Sequence, residues 1–301
     1  MRQDEAASGV EGGLFYLLQQ DVAGFVALSG ILKERAGIFL PNNSKNICLM
    51  ASRLAPILRE LGLESYHEYL RLLRDPGNAL EGDFISAMTT NTTQFFRESR
   101  HFEFLKLHLP ALLEAKRKRF SRELRVWCAA ASTGQEPYTI LMCLLEAIPA
   151  IQEWDLKFLA SDIDLEVLER AAKGVYTDVE VASLPAHYRQ KYLDAEKKDR
   201  NASRFRVKAE LRRRIRFAPL NLLTAPFPFR HRFDIVFCRN VLIYFDRETA
   251  VGVIHRLAGA VSEEGMLFLG HSESGINRPE GMEQVAPAAY QRLRSARKAA
   301  G

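Results

Sequence analysis

Apolar residues fall at helical spacing through the first third of the chain and in strand-length runs through the rest. Leu14, Leu17 and Leu18 share one helical face, and Phe25, Leu28, Ile31 and Leu32 continue the period. Pro41-Asn-Asn-Ser44 breaks the pattern and supplies a helix cap. Ile47, Met50, Leu54, Ile57, Leu58 and Leu61 then predict a helix that ends at Gly62, with Pro56 as a point of kinking. Tyr66, Tyr69, Leu70 and Leu73 predict a short helix stopped by Asp75-Pro-Gly77. Residues 14–86 therefore read as a small all-helical domain behind a polar, loose N-terminus.

A connecting stretch, 87–124, follows. Four threonines and Asn91 lead to Phe95, Phe96 and Arg97, a polar cluster that suits a site or a cap better than a core helix. Phe102, Leu105, Leu109 and Leu112 then predict a helix whose basic end, Lys116 to Arg119, is expected to be exposed. From Arg125 the period changes. Strand-length runs at 125–131, 156–161, 214–220, 233–238 and 265–270 alternate with helical segments, and 283–293 can supply one or two closing strands. This alternation predicts an α/β domain over 125–296 with a largely parallel sheet. Residues 175–213 are too long for a simple connection and read as an inserted subdomain.

The stretch from Val126 to Tyr138 is the most informative. A buried strand runs into Ser132, Thr133 and Gly134, then Gln135, Glu136 and Pro137 open a helix carried by Ile140, Leu141, Leu144, Leu145 and Ile148. Either this is an ordinary strand-to-helix connection, or a ligand approaches the backbone here. Ligands of open parallel sheets bind beyond the carboxyl ends of the strands. That rule gathers Ser132, Gly134, Glu136, Asp162, Asn221, Arg239, Asn240, His271 and Glu273. Asp162 stands where an acid holds ribose hydroxyls, whereas Asp164 suits a helix cap. One glycine in the turn is poor provision for a pyrophosphate, so a nucleoside-like ligand without phosphates, such as S-adenosylmethionine, fits better.

Composition narrows the class. Of 301 residues, 47% are apolar and 26% charged, which is globular, and no apolar run reaches the roughly 20 residues of a membrane span. No signal-peptide core opens the chain, and Cys48, Cys128, Cys143 and Cys238 lack paired spacing, so they read as small core residues of a cytoplasmic protein. The scattered histidines predict no metal; His271 and Glu273 alone are too few ligands. Net charge is +5, yet residues 189–216 hold twelve Lys/Arg and four Asp/Glu, +8, which leaves −3 elsewhere. Such a cluster points to nucleic acid, a membrane surface, an acidic partner or simply a solvated face.

Six stretches then carry a resemblance. They are Thr-Thr-Asn-Thr-Thr-Gln-Phe-Phe-Arg97, Trp-Cys-Ala-Ala-Ala-Ser-Thr-Gly-Gln-Glu-Pro-Tyr138, Ala-Ser-Asp-Ile-Asp164, Leu-Asn-Leu-Leu223, Phe-Cys-Arg-Asn-Val-Leu-Ile-Tyr-Phe-Asp246 and Gly-His-Ser-Glu-Ser274. In this order the chain resembles the chemoreceptor protein-glutamate O-methyltransferases, the CheR family. The resemblance implies a class I, Rossmann-like methyltransferase domain, an N-terminal helical domain and a small inserted β-subdomain. It implies S-adenosyl-L-methionine as cofactor, with S-adenosyl-L-homocysteine as product, lined by Asn91, Thr93, Arg97, Glu136, Asp162, Asn221, Leu222, Arg239 and Asn240. Arg97 and Tyr244 would lie near the transferred methyl. The partner implied is the cytoplasmic helical region of methyl-accepting chemoreceptors, with Lys45, Arg53 and Arg59 as candidates for docking it.

The chemistry agrees with that resemblance. A glutamate carboxylate is ionised at neutral pH, so its attack on a sulfonium methyl needs placement and desolvation rather than a general base, in keeping with a site lacking an obvious histidine–carboxylate pair. The insert departs from some relatives: 193–207 holds no glycine, so no tether to a receptor's C-terminal pentapeptide is expected. Two other readings compete. A nucleic-acid methyltransferase would suit the basic insert, but Arg239-Asn240-Val-Leu242 lacks the Asn/Asp-Pro-Pro-aromatic pattern of amino-group methylation. A non-catalytic cofactor-binding module would bind without turnover.

Overall fold

The computed structural model describes residues 13–74, 80–148, 150–199 and 202–293. It divides into two compact units. One runs to Thr90 and includes Tyr244–Asp246; the other holds Asn91–Ile243 and the chain from Arg247.

The first unit is helical. Gly13–Gln20 (α1), Val22–Ala36 (α2), Ser44–Glu60 (α3), Tyr66–Leu73 (α4) and Leu80–Met88 (α5) follow one another. Their starts are set by short polar side chains. Asp21, Asn43 and Ser65 accept from the N–H groups of Gly24, Asn46 and Glu68, each three residues on. Gly37, left-handed, closes α2 with its N–H on the Lys33 carbonyl. α3 passes through Pro56 without ending. Phe25, Leu28, Leu32, Met50, Leu54 and Leu58 bury the faces that the periodicity marked, while Leu17 of α1 is 60% exposed and does not join them. Tyr244–Asp246 returns to this unit: the Phe39 N–H donates to the Tyr244 carbonyl at 2.7 Å, and Lys33 meets Asp246 at 2.6 Å. The stop expected at residues 75–77 lies outside the described residues, as does most of the N-terminal stretch. No single helix among the described residues is long and apolar enough to cross a membrane.

The second unit is α/β. Helix α6 (Arg100–Lys118) leads to β1 (Glu123–Ala129), α7 (Gln135–Ala147), β2 (Asp155–Asp162) and α8 (Leu165–Lys173). After the insert come β6 (Ile215–Pro219), β7 (Phe233–Cys238), α12 (Arg247–Ala260), β8 (Val261–Leu269), β9 (Met282–Ala286) and β10 (Ala289–Arg292). The insert holds β3 (Val175–Thr177), α9 (Asp178–Val181), α10 (Ala186–Tyr192), β4 (Leu193–Asp199), β5 (Ala202–Val207) and α11 (Ala209–Arg212), its strands forming a separate antiparallel sheet in the order β3-β5-β4.

The main sheet has seven strands in the order β6-β2-β1-β7-β8-β10-β9. The first five are parallel; β10 runs antiparallel to both of its neighbours. β2 and β6 lie on one side of β1, and β7 and β8 on the other. The switch point therefore falls between β1 and β7, where ligands of such sheets bind. This is the Rossmann-like fold the resemblance implied, with the closing strands as an antiparallel pair.

Two expectations need correction. Lys116, in the basic end of α6, is not simply exposed. Its ammonium meets Asp234 at 2.7 Å, and that buried carboxylate also accepts from the Arg125 N–H and the Ser262 hydroxyl, both at 2.8 Å. An acid within an apolar strand needs such partners to be buried. Cys48 is exposed, unlike Cys128, Cys143 and Cys238. In the insert, part of the basic excess has partners: Arg206 pairs with Glu196, Lys191 with Glu146 at 2.8 Å, and Arg189 lies over Phe205.

Candidate active site

The turn after β1 carries three left-handed residues, Ala130, Ser132 and Gly134, with φ of 66°, 48° and 99°. Gly134 has no alternative. A Cβ there would lie 2.7 Å from the Tyr176 hydroxyl and 2.9 Å from the Ala171 Cβ, so a side chain would push α8 and β3 from the start of α7. The turn presents the Ser132 N–H to Asp162 Oδ2 at 2.8 Å, while the Asp164 N–H reaches Oδ1 at 3.1 Å. A carboxylate offers about four acceptor positions. Asp162, at the carboxyl end of β2, therefore keeps capacity for hydroxyl donors such as those of a ribose. Its burial raises its pKa, and the backbone N–H groups pull it back down. Asp164 caps α8 through the N–H groups of Glu166 and Val167, as its position implied. Asn91 joins this corner: its amide donates to Asp164 Oδ2 at 3.0 Å, and its carbonyl accepts from the Ser132 hydroxyl at 3.1 Å.

Beside the turn stands a buried frame of charge. The Arg239 side chain, at the end of β7, is wholly inaccessible. It meets Glu136 at 2.6 Å and Glu98 at 3.0 Å, donates to the Arg97 carbonyl at 2.7 Å, and lies over the Phe102 ring. Burial raises the Glu136 pKa against the pull of Arg239. For Glu98 burial also pushes upward, but Arg239 and the hydrogen bonds outweigh it and the pKa falls. The loop after β7 is pinned by Glu273, whose carboxylate accepts from the N–H groups of Asn240, Val241, Leu242 and Gly270 at 3.0, 2.8, 2.7 and 2.6 Å. Asn240 is thereby held left-handed, at φ 58°.

At the third strand end, the Leu220 N–H donates to the Asp162 carbonyl at 2.9 Å, so Asn221 and Leu222 lie next to Asp162. The Asn221 side chain closes its own turn on the Leu223 N–H at 2.9 Å, and Leu222 is buried. The ends of β1, β2, β6 and β7 thus bring together acceptors for hydroxyls, a buried apolar surface and a rigid charged frame.

Comparison with known proteins settles the family. The description "CheR methyltransferase, SAM binding domain" matches residues 91–290, and "CheR methyltransferase, all-alpha domain" matches residues 23–89. The chain belongs to the CheR methyltransferase family. It is 42% identical over 241 residues to a probable chemotaxis protein methyltransferase of Rhizobium etli, covering 79% of this chain and 87% of that one. It is 41% identical over 254 residues to the chemotaxis protein methyltransferase of Escherichia coli (strain K12), covering 84% of each. With that of Borreliella burgdorferi it shares 36% over 265 residues, 87% of this chain and 91% of that one. This CheR-family protein is an S-adenosylmethionine-dependent methyltransferase of the chemotaxis type.

Within the CheR-family chain, the remaining candidates fall as follows. Arg97 is half-buried and donates to the Thr92 carbonyl at 3.0 Å. Thr93 lines, with Asn91, Thr133, Gln135, Glu166 and Arg170, a polar cavity of about 400 Å³. Tyr244 belongs to the first unit, where its carbonyl accepts from Phe39. Arg53 donates to the carbonyls of Ala87, Met88 and Thr89 at 3.3, 2.9 and 2.7 Å. It closes the C-terminus of α5, where a cation is favoured by the free carbonyls. Lys45 is exposed, and Arg59 stands in the last turn of α3.

Glu98, one residue past a quoted motif, and the pinning role of Glu273, inside another, were missed from sequence. Two histidines stand beside the frame, beyond hydrogen-bond reach of its carboxylate. His101 and His271 flank Glu98 at 3.6 and 3.8 Å. His101 is buried, and its pKa is pushed down to about 4 by burial, with Arg239 adding to the shift.

Proposed function

We propose that this enzyme converts glutamate side chains of chemoreceptors to methyl esters, acting in the cytoplasm on the receptors' helical region. Membership of the CheR family is the observation that carries the reading, together with relatives named chemotaxis protein methyltransferases. The chemistry fits the residues present. When bound, S-adenosylmethionine supplies a methyl group on a sulfonium, ready for attack by an anion. Asp162 holds the ribose hydroxyls, and Asn91, Thr93, Arg97, Glu136, Asn221, Leu222, Arg239 and Asn240 form the rest of the cofactor site, with Arg239 behind it holding Glu136 and the Arg97 carbonyl. The nucleophile is a glutamate carboxylate with an ordinary pKa near 4.3, already ionised at neutral pH. The protein has to place it in line and exclude water. Arg97 orients a carboxylate, and the Tyr244 hydroxyl donates near the reacting groups.

Receptor docking falls to the helical domain, with Lys45, Arg53 and Arg59 as its basic contacts, Arg53 also closing α5. The glycine-free insert does not hold a C-terminal pentapeptide, and nucleic acid is not a substrate. The test is tritiated methyl transfer to receptor-containing membranes. Label released by alkali as volatile methanol marks a carboxyl ester. Alkali-stable label on nitrogen or on nucleic acid would overturn the reading.

A further inference from the structure

Glu98, His101 and His271 bring one carboxylate oxygen and two ring nitrogens within 4.8 Å of one another. Glu98 Oε2 lies 3.6 Å from His101 Nδ1 and 3.8 Å from His271 Nδ1, too far for hydrogen bonds. His101 is 2% exposed, and its Nε2 stands 3.0 Å from the Pro287 carbonyl oxygen. A carbonyl only accepts, so the proton of the neutral ring sits on Nε2 and the Nδ1 lone pair faces the cluster. That Nδ1 is enclosed and has no hydrogen-bond partner. A buried lone pair aimed at a carboxylate oxygen is unfavourable unless something positive lies between them.

The spacing suits a metal ion. A tetrahedral ion with bonds of about 2.1 Å holds its ligand atoms about 3.4 Å apart. The two separations from Glu98 are within a few tenths of an ångström of that, and the third, between the rings, is no more than 4.8 Å. The Pro287 carbonyl is the outer contact that metal-bound imidazoles use to fix tautomer and ring orientation. The Glu98 carboxylate supplies the anion, and Arg239 meets the same oxygen, Oε2, at 3.0 Å.

We propose that Glu98, His101 and His271 form a binding site for a divalent transition metal ion, with Zn²⁺ the best match to two imidazoles and a carboxylate. His101 and Glu98 supply the inner side. His271, 45% exposed, is the side from which the ion enters, and water completes the coordination. The ion ties the start of α6 to the end of β8. Because Glu98 also holds Arg239, occupancy of the site bears on the charged frame beside the cofactor.

The test is calorimetric titration of Zn²⁺ into tag-free, chelator-stripped full chain carrying Cys48→Ser, which removes the exposed thiol. One ion per chain is expected. His271→Ala should weaken binding at least tenfold while leaving thermal unfolding in chelator unchanged, since its side chain is half in solvent. His255→Ala, removing a surface histidine beside Glu280, should leave affinity as it was. Co²⁺ should give the absorption of a four-coordinate nitrogen and oxygen site in the parent and lose it in His271→Ala. No uptake of Zn²⁺, or uptake equally tight in His271→Ala, would overturn the proposal.

Discussion

The Arg239 guanidinium meets the Glu136 carboxylate at 2.6 Å, with the arginine side chain fully closed to solvent. One residue ends β7 and the other opens α7, so the pair braces the two sides of the switch point. Removing one partner strands a buried charge, which typically costs about 3–5 kcal/mol. Arg239→Ala should therefore destabilise the protein by about that much in urea unfolding. A loss below about 1 kcal/mol, the range of exposed pairs, would mean that the pair is solvated.

Asp162 should set the pH dependence of cofactor binding. Burial raises its pKa in the free protein, whereas hydroxyl donors favour the ionised form. Affinity for S-adenosylmethionine is then full above the raised pKa and falls as pH drops through it. Stability runs the other way. The contribution of this group is present below its unfolded pKa of about 3.9 and is lost as pH rises through the folded value. In calorimetry, Asp162→Asn should bind roughly 10- to 100-fold more weakly at neutral pH, the worth of a hydrogen bond to a charged group, and lose the acid-side fall. An unchanged Kd would remove Asp162 from the cofactor site.

Tyr244 is assigned to the reacting groups rather than to cofactor binding. Tyr244→Phe should lower turnover about 10-fold or more, the loss of one hydrogen bond at the transition state, with cofactor affinity nearly unchanged. Weaker cofactor binding with unaltered turnover would contradict the role.

The insert offers a check on partner choice. A receptor-type C-terminal pentapeptide should give no heat on titration into the protein at micromolar concentrations. Tight binding would show that a sheet without glycine in its connecting segment can still hold the tether.

Much of this architecture was legible because it is written locally. β1 and β7 are near-continuous apolar runs, as strands covered on both faces must be, and Asp164 caps α8 where a short acid precedes an apolar period. What stayed hidden depends on partners far apart in the chain. Lys116 reads as a surface lysine until Asp234 is brought beneath it, 118 positions away. Arg53 reads as a surface cation, and its bonds to the carbonyls ending α5 appear only in the fold. His101 and His271 show no ligand spacing along the chain, yet the sheet brings their rings to a 4.9 Å centroid distance. Local periodicity cannot report such meetings, because the sheet order decides them.

The most direct test of carboxyl methylation is peptide mass spectrometry of a chemoreceptor after incubation with the enzyme and S-adenosylmethionine. One added methyl group per modified glutamate is expected, mapped to the receptor's cytoplasmic helices and removed by mild alkali. Methyl groups found only on lysine, arginine or other alkali-stable positions would contradict it.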